Sequence, residues 1–506
     1  MQVLIFPLPN WTFLAWAAIA PLMVAVLRAR PAGKDWALAS VRQSFALGYL
    51  AGVIWSFGTC YWIFNVMHNF GGLSAPVAAI VLVLFCLTLG LFLGMFAALL
   101  GALAGPGRLG RKAVLLSPVF WVAVELFRGY AVDFPWNPLG TVLVDNIPLS
   151  RLASATGVYG LSFEILLINV VFAIALLASR RQRVILLFAA VLASAMLQAG
   201  VLLEPPPLAA DRTARLVQAN VPILNSGGWT SERFQQTLTS LADLSVPRQG
   251  QMMPGEPLPG LIVWPESPAP FFLSDNEFLA AVGQVARTAK ATVVVGSLGQ
   301  PDPNDPVGKM FNSAAVVAPD GEVRARYDKV HLVPFGEYVP FQDLLSFAGK
   351  LTREVGDFVA GKQRAPVSVD GEHLGIFICY ESVFPNDVRQ FANNGAQVFV
   401  NISNDGWFGE TAAPVQHLNM ARMRAIENHR WLLRGTNTGI TGVIDPYGRV
   451  LMTARRGVET SIDVPYTLVS QTTFYTRHGD WFAYGCAIIS LALILLVVLR
   501  TRIRRA

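Results

Sequence analysis

Residues 374–382, LGIFICYES, form an apolar run that stops at Cys379 and is followed by the acid Glu381. An unbroken run rich in isoleucine and phenylalanine is typical of a strand that is buried on both faces in an α/β fold. Sites in such folds form at the carboxyl ends of strands. A nucleophilic side chain at this position therefore marks a candidate catalytic site.

The surrounding residues, 211–479, have the composition of a water-soluble domain in which short apolar runs alternate with amphipathic ones. Apolar, β-branched runs predict strands, whereas a 3.6-residue periodicity predicts helices. Together they predict an α/β sandwich with mixed sheets. Strands are expected at 214–220, 261–264, 292–297, 374–379 and 397–402, hairpins at 312–317 with 323–327 and at 441–444 with 450–454, and helices at 231–244, 277–290, 386–393 and 415–431.

Two further segments place an ionisable side chain after an apolar run. Glu266 closes LIVWPES, and Lys329 follows VRARYD. A thiol attacks as its thiolate, so Cys379 needs a base, and Glu266 can take its proton and later return it. An ammonium at Lys329 is expected to lower the pKa of the thiol and, with the backbone N–H of Tyr380, to stabilise an oxyanion. Three ordinary roles stay open at this point, namely a core thiol, a helix-capping glutamate and a solvated lysine.

The composition indicates a membrane protein. Only 14% of the 506 residues are charged and 53% are hydrophobic, against about 25% charged in soluble proteins. A span needs roughly 20 apolar residues, and such runs lie near 10–28, 44–66, 75–104, 113–128, 157–178, 184–203 and 480–500. We therefore predict a transmembrane helical bundle at 1–203, a soluble catalytic domain at 211–479, and a C-terminal span with a basic tail at 480–506.

Basic residues set the expected orientation. They cluster at 28–42, 108–112, 180–183 and 500–505, beside the ends of apolar runs. By the positive-inside rule these ends lie in the cytoplasm, so the soluble domain lies outside it. The net charge of +6 is therefore explained by membrane topology. No basic stripe interleaved with aromatic residues points to nucleic acid.

Cysteine and histidine usage argues against disulfide and metal chemistry. Cys60, Cys86 and Cys486 fall in apolar spans, which leaves Cys379 alone in the soluble domain without a disulfide partner. The six histidines are scattered, and none has the spacing of a ligand cluster. We expect no metal and no cofactor.

Four segments together resemble the carbon–nitrogen hydrolase (nitrilase) superfamily. They are WPES at 264–267, KVHLVPFGEYVP at 329–340, ICYES at 378–382 and NISNDGWFG at 401–409. The apolar N-terminal block, the C-terminal span, QHLNMARMRAIENHR at 416–430 and RGTNTGITGVIDPYG at 434–448 extend the resemblance to the apolipoprotein N-acyltransferase family. This resemblance implies a nitrilase-like αββα sandwich on a membrane α-helical bundle, with Glu266, Lys329 and Cys379 as the catalytic triad.

The resemblance also implies the reaction. Cys379 would take an acyl chain from a phospholipid as a thioester, and the α-amine of a diacylglyceryl-cysteine on an apolipoprotein would then accept it. Such a two-step exchange suits two bulky lipids that use one site in turn. The expected setting is the bacterial inner membrane, with the catalytic domain on the periplasmic side, and we expect a monomer.

Further residues match supporting positions of the family. Glu337 and Glu381 are expected to order the lysine and the region of the thiol, and Tyr380 matches an aromatic position near the substrate groove. Aromatic and apolar side chains are expected to line the substrate groove, with their alternative role being ordinary packing. This second group comprises Trp229, Trp407, Phe341 and Leu344.

Three segments are more apolar than ordinary loops. Residues 340–350 and 268–273 predict mobile lids that face the bilayer, unless they pack into the core. Residues 133–137, DFPWN, predict an interfacial aromatic anchor. The family pattern has eight spans with the N-terminus inside, so the resemblance leads us to expect that the first span is absent here.

Two other functions compete with acyl transfer to an amine. In a membrane-tethered amidase of the nitrilase type, water would resolve the thioester, but such an enzyme needs neither multiple spans nor apolar lids. A transporter or scaffold with an inactive domain would favour acidic residues within its spans, and only Glu125 and Glu164 lie near predicted span ends. The intact triad argues against this second alternative.

Overall fold

The computed structural model describes residues 1–28, 36–104, 109–224, 228–246, 258–300, 309–338 and 358–503. The chain forms two compact units. The helical unit comprises Met1–Phe64, Pro76–Pro205 and His478–Ala506, and the sheet unit comprises Asn65–Ala75 and Pro206–Arg477.

The helical unit is built from apolar helices. Five helical segments in the described ranges are long and apolar enough to cross a membrane, and a sixth candidate is the pair Val41–Cys60 and Trp62–Phe70, bent by 51°. The α-helices of this part are α1 Ala20–Arg28, α2 Trp36–Cys60, α3 Trp62–Asn65, α4 Ala75–Leu103, α5 Ser117–Val132, α6 Ile147–Ser150, α7 Ala153–Thr156, α8 Val158–Leu177, α9 Arg180–Gln198 and α15 Trp481–Ile503.

The predicted span at 10–28 is wrong as a continuous helix. A 3-10 helix, Thr12–Trp16, is followed by a break and then by the short α1. Asn169 of α8 compensates for this break, because its Oδ1 accepts hydrogen bonds from the N–H groups of Ile19 and Ala20, at 2.8 and 3.0 Å. Its Nδ2 donates to the carbonyl of Ala15 at 2.8 Å. Backbone groups freed by a broken helix in an apolar setting need such partners.

A second buried polar network holds the chain that follows α5. The carboxylate of Glu125 accepts hydrogen bonds from the hydroxyl of Ser162 at 2.6 Å and from the N–H of Leu139 at 2.7 Å. The carbonyl of Trp136 accepts one from Arg128 at 2.8 Å. Within the segment 133–137, which was predicted to be an interfacial anchor, Phe134 is half-buried but Trp136 is only 2% exposed. The side chain of Trp136 therefore packs inside the unit.

The sheet unit contains two six-stranded mixed sheets. Their orders are β12-β1-β2-β3-β4-β5 and β11-β10-β9-β8-β7-β6. Each has a parallel centre, β1-β2-β3 in one and β7-β8-β9 in the other, flanked by antiparallel strands. The strands are β1 Arg212–Gln218, β2 Leu261–Val263, β3 Thr292–Gly299, β4 Phe311–Val317, β5 Val323–Asp328, β6 Val367–Val369, β7 Glu372–Ile378, β8 Val398–Ser403, β9 Leu432–Thr436, β10 Gly442–Ile444, β11 Val450–Thr453 and β12 Thr460–Tyr466.

Two apolar layers hold the sandwich together. One lies between the sheets and includes Leu216, Val294 and Val400, all fully buried. The other lies between the first sheet and its helices and includes Phe271 and Phe278. These layers give the predicted αββα arrangement, which is confirmed. The helices are α10 Ser231–Ser245, α11 Asn276–Ala289, α12 Pro385–Asn393, α13 Ala413–Asn428 and α14 Phe474–His478.

Two predictions in the sheet unit need correction. Phe271 has no exposed surface and stacks on Phe278 with ring centroids 4.6 Å apart, so its part of the predicted lid at 268–273 packs into the core. The helix predicted at 415–431 ends at Asn428, because His429 adopts a left-handed backbone with φ 52°. The chain then enters β9, which the sequence pattern did not predict.

Candidate active site

Three strand ends bring the predicted triad into one buried site. Glu266 follows β2, Lys329 follows β5, and Cys379 follows β7. The three residues are 7%, 1% and 8% exposed, respectively. Lys329 Nζ lies 3.4 Å from Glu266 Oε1, and the Cys379 thiol interacts electrostatically with both groups. Lys329 and Cys379 lie 63 and 113 positions after Glu266 in the sequence, yet all three meet at one edge of the sandwich.

Cys379 occupies a sharp turn at the end of its strand. Its φ of +50° places a non-glycine residue in the left-handed region, and a 3-10 helix, Cys379–Val383, begins there. Burial and the carboxylate of Glu266 raise the pKa of the thiol, and the opposing effect of Lys329 is smaller. Lys329 lowers the pKa of the thiol, as expected, but burial and Glu266 outweigh it, so the net shift is upward. The resting group is a neutral thiol that needs a base.

Lys329 is held as an ammonium between two carboxylates. Burial works against its charged form, but Glu337 and then Glu266 outweigh this effect and raise its pKa above the usual value. Glu337 Oε1 is the nearer partner, at 2.8 Å from Nζ. Asn312 of β4 joins the same group, since its Nδ2 donates to Glu266 Oε1 at 2.8 Å and to Glu337 Oε1 at 2.7 Å.

Glu266 has hydrogen-bond donors on both carboxylate oxygens. Its Oε1 accepts from Asn312, and its Oε2 accepts from the N–H of Asn404 at 2.8 Å. Partners that only donate are those that an ionised carboxylate needs. Gly296 of β3 makes room for this segment, because a Cβ at that position would lie 2.4 Å from the carbonyl oxygen of Pro265. The site thus presents a carboxylate base beside a thiol.

Glu381 ties the cysteine turn to the lysine loop. Its Oε2 accepts from the N–H of Ile378 at 2.8 Å, while its Oε1 accepts from the Tyr327 hydroxyl at 2.7 Å and from the N–H of Val330 at 2.8 Å. Burial raises its pKa, and these donors offset part of that effect. The side chain is turned toward backbone donors on either side, which suits a structural role.

A second set of buried polar side chains lies behind Cys379. Nε2 of His417 lies 3.1 Å from the carbonyl oxygen of Cys379, and Nδ1 lies 3.0 Å from Asp405 Oδ1. Arg434 pairs with the other oxygen of Asp405 at 2.9 Å. Burial opposes ionisation of Asp405, but Arg434 and His417 outweigh it and hold the pKa of this carboxyl well below its usual range.

The remaining predicted residues lie in different surroundings. Tyr380 is buried and packs edge-on against Phe384 with ring centroids 5.1 Å apart. Trp229 is half-buried and packs against the helix side of the first sheet. Trp407 is 43% exposed and meets the ring of Phe70 edge-on at 5.7 Å. Phe341 and Leu344 lie outside the described residues, as does the lid predicted at 340–350.

Sequence reasoning missed Asn312, Asp405, His417 and Arg434 as members of the site. Asn312 is the first residue of a predicted strand, and Asp405 lies in the NDGWFG segment. The sequence therefore placed both residues in a known segment but assigned them no function. A polar side chain at the end of an apolar strand is the sequence signal that could have identified Asn312. The signal for His417 and Arg434 is weaker, because their neighbours come from distant segments.

Two family models match successive parts of the chain. Residues 223–472 match the family model for carbon-nitrogen hydrolase, and residues 1–171 match that for the apolipoprotein N-acyltransferase N-terminal domain. Among solved structures, an amidase from Nesterenkonia sp. is 21% identical with a TM-score of 0.37, covering 54% of this chain and 94% of the amidase.

Curated relatives match over most of their length. The apolipoprotein N-acyltransferase of Geobacter metallireducens is 34% identical over 496 residues, which cover 96% of this chain and 91% of the relative. That of Methylococcus capsulatus is 33% identical over 480 residues, which cover 93% and 90%. The expected resemblance is thereby confirmed, and the chain belongs to the apolipoprotein N-acyltransferase family.

Proposed function

We propose that this acyltransferase works through a thioester on Cys379, with Glu266 as the general base and acid and Lys329 as the oxyanion-binding cation. The observation that carries the proposal is the ammonium of Lys329, buried between the carboxylates of Glu337 and Glu266, 2.8 and 3.4 Å away. A fixed cation of this kind stabilises negative charge that develops in a transition state.

In the first half-reaction, Glu266 takes the proton of the Cys379 thiol as the sulfur attacks the ester carbonyl of a phospholipid. The carbonyl oxygen becomes an oxyanion beside Lys329 and the backbone N–H of Tyr380. When the intermediate collapses, the ester C–O bond breaks, and Glu266 returns the proton to the departing oxygen of the lysophospholipid. The enzyme is left as an acyl thioester.

In the second half-reaction, the α-amine of a diacylglyceryl-cysteine at the N-terminus of an apolipoprotein attacks the thioester. Glu266 takes a proton from the amine as the C–N bond forms. The C–S bond then breaks, and Glu266 returns the proton to the sulfur of Cys379. The products are an amide-linked third acyl chain and the resting thiol.

We also propose a cellular location and a membrane orientation for the enzyme. Basic residues beside the ends of the apolar helices support a bacterial inner-membrane enzyme whose catalytic domain, residues 211–479, lies on the periplasmic side. Residues 1–203 and 480–506 would then hold it in the membrane, near its phospholipid donor. We propose that one chain suffices, because all three members of the triad come from it.

The decisive experiment follows label from donor to enzyme. Purified protein is incubated with a phospholipid labelled in its acyl chain, and label is expected on Cys379 in a form that neutral hydroxylamine removes. Cys379→Ala is expected to carry no label, and Cys379→Ser none that hydroxylamine removes. Addition of a diacylated lipopeptide should discharge the wild-type adduct far faster than water does.

Two results separate the alternatives. If Cys379→Ala still acylates the lipopeptide at the normal rate, the thioester mechanism is wrong. If the adduct forms but decays to free fatty acid at the same rate with and without lipopeptide, the enzyme is a hydrolase of the amidase type.

A further inference from the structure

The peptide group between Cys379 and Tyr380 has a buried partner that the proposed mechanism does not use. Its carbonyl oxygen lies 3.1 Å from Nε2 of His417 on α13. Its N–H, which belongs to Tyr380, is the group assigned to the oxyanion in the proposed function. A trans peptide is planar, and its C=O and N–H point in opposite directions. A hydrogen bond that fixes the carbonyl therefore also fixes the direction of the N–H.

We propose that His417 is a positioning residue that orients and polarises the Cys379–Tyr380 peptide so that its N–H binds the oxyanion. This inference rests on the proposed function. Hydrogen bonds in a chain strengthen one another, so a donor on the carbonyl makes the N–H of the same peptide a better donor. His417 would act on the transition state through the backbone, without touching the substrate.

The hydrogen-bond partners of His417 place a proton on Nε2. The carbonyl of Cys379 can only accept, so an unprotonated Nε2 would set a lone pair against it at 3.1 Å. Nδ1 lies 3.0 Å from an acceptor, Asp405 Oδ1, and 3.1 Å from a donor, Arg434 Nη2. Ser382 Oγ, the other neighbour of Nε2 at 2.8 Å, can accept as well as donate.

The imidazole is held rigidly from behind. Asp405 receives hydrogen bonds from Ser403 at 2.7 Å and from Arg434 at 2.9 Å, and the side chains of Asp405, His417 and Arg434 have no exposed surface. A buried network of hydrogen bonds and ion pairs of this kind favours one arrangement of its side chains. The carbonyl of Cys379 thus meets a donor whose position is set before substrate binds.

The turn needs such a restraint. Cys379 holds a φ of +50°, which a non-glycine residue keeps only where the surrounding structure imposes it. Glu381 holds the Phe377–Ile378 peptide, one residue before the turn, through the N–H of Ile378 at 2.8 Å. His417 holds the peptide after Cys379 through its carbonyl. Together they restrain the backbone on both sides of the nucleophile.

The test compares two reactions of the same thiol. Iodoacetamide alkylates Cys379 by displacement at carbon, which forms no oxyanion, whereas a p-nitrophenyl acyl ester acylates it through a tetrahedral oxyanion. Both reactions need the folded site and the base, but only acylation needs the N–H of Tyr380. The ratio of the two second-order rate constants, measured on the full chain in detergent, therefore reports oxyanion binding alone.

His417→Gln and His417→Asn form a matched pair. The amide nitrogen of glutamine can take the place of Nε2 and donate to the Cys379 carbonyl, whereas that of asparagine takes the place of Nδ1 and can reach only Asp405. Direct loss of an oxyanion donor costs roughly 100- to 1,000-fold in rate. Loss of the hydrogen bond that orients this donor should cost less. We expect the acylation-to-alkylation ratio to fall about 10-fold in His417→Asn and to stay near the wild-type value in His417→Gln.

Ser382→Ala is the control, because it removes the other neighbour of Nε2 and leaves the contact with the carbonyl. Its ratio is expected to stay near that of the wild type. Equal ratios in the asparagine and glutamine variants, or a fall in Ser382→Ala that matches His417→Asn, would overturn the proposal. If His417→Asn does not fold, His417→Met, which fills the space without a donor, replaces it in the comparison.

Failure of the proposed function looks different. In that case the wild-type protein forms no hydroxylamine-labile adduct on Cys379 with either the ester or a phospholipid. If the adduct forms normally but the acylation-to-alkylation ratio does not change in the His417 variants, only the proposed role of His417 is wrong.

Discussion

Lys329 interacts unequally with the two glutamates that surround it. Its ammonium is 2.8 Å from Glu337 and 3.4 Å from Glu266. The shorter contact keeps the cation away from the carboxylate that must act as a base. Glu337 therefore contributes to catalysis by holding Lys329, although it does not touch the reacting atoms.

Glu337→Gln is expected to slow acylation of Cys379 about 10-fold, which is less than the roughly 100- to 10,000-fold contribution of general acid–base catalysis, because the base is weakened but not removed. The amide keeps the shape of the side chain but removes its charge, so Lys329 moves toward Glu266 and pairs with the base. The measurement is the rate of hydroxylamine-labile labelling from a phospholipid. Glu322→Gln, at an exposed position, is the control. A Glu337→Gln enzyme that labels at the wild-type rate would contradict this role.

The residues of the triad were predictable because each is a chemically distinctive side chain that ends an apolar run. Asn312 and His417 were not, for a physical reason. An amide within a strand and an imidazole within a helix have many ordinary uses, and only the folded chain shows that they reach Glu266 and the carbonyl of Cys379. The direction of the net shift in the Cys379 pKa also became clear only from the structure, since burial raises this pKa by more than Lys329 lowers it.

At the scale of elements, β3 shapes the site without contributing a reactive group. Gly296 has the Cα of Glu266 within 2.7 Å of the place where a Cβ would lie, and the carbonyl oxygen of Pro265 within 2.4 Å. Both neighbours are backbone atoms, so they cannot move aside as a flexible side chain would. The strand and the catalytic segment can pack closely only with glycine at this position.

Gly296→Ala is therefore expected to displace Glu266 and to lower the acylation rate by 10-fold or more, in keeping with the large cost of misplaced catalytic groups. Gly260→Ala is the matched control, because a Cβ there has nothing within 4 Å, and it should label at the wild-type rate. Thermal unfolding of both variants shows whether the loss is local. Normal labelling in Gly296→Ala would show that the segment has room to shift.

Long apolar strands and amphipathic helices were the elements that the sequence pattern predicted well. The pattern missed β6, β9 and β12, which are short or interrupted by polar and proline residues, such as Arg434 in β9 and Pro465 in β12. It also joined Thr12–Trp16 and α1 into one span, because hydropathy does not register a break that Asn169 compensates. Pairing partners from distant segments decide such cases.

At the scale of the whole molecule, the proposed orientation can be tested by labelling the sheet unit from one side of the membrane. The basic clusters beside the apolar helices predict the periplasm. All four native cysteines are buried, so a new exposed cysteine can be labelled selectively in a Cys379→Ala background. Glu410, whose side chain is 94% exposed, and Arg181, which is exposed at the start of α9, are suitable positions.

Glu410→Cys is expected to react with a membrane-impermeant maleimide in intact spheroplasts, whereas Arg181→Cys should react only after the membrane is permeabilised. Mass-tag shifts on a gel give the labelled fraction for each variant. Labelling of Arg181→Cys but not Glu410→Cys in intact spheroplasts would reverse the proposed orientation.

The pairing of β12 with β1 has a consequence for biosynthesis. The first sheet begins with residues near 212 but is completed by a strand that ends at Tyr466, so β1 keeps an uncovered edge until nearly all of the sheet unit has been synthesised. Glu266 and Lys329 follow strands of this first sheet, and Cys379 follows one of the second. In a nascent chain that halts before residue 460, Cys379 should therefore lack a completed active site. Its acylation should begin only after β12 has been synthesised and has paired with β1.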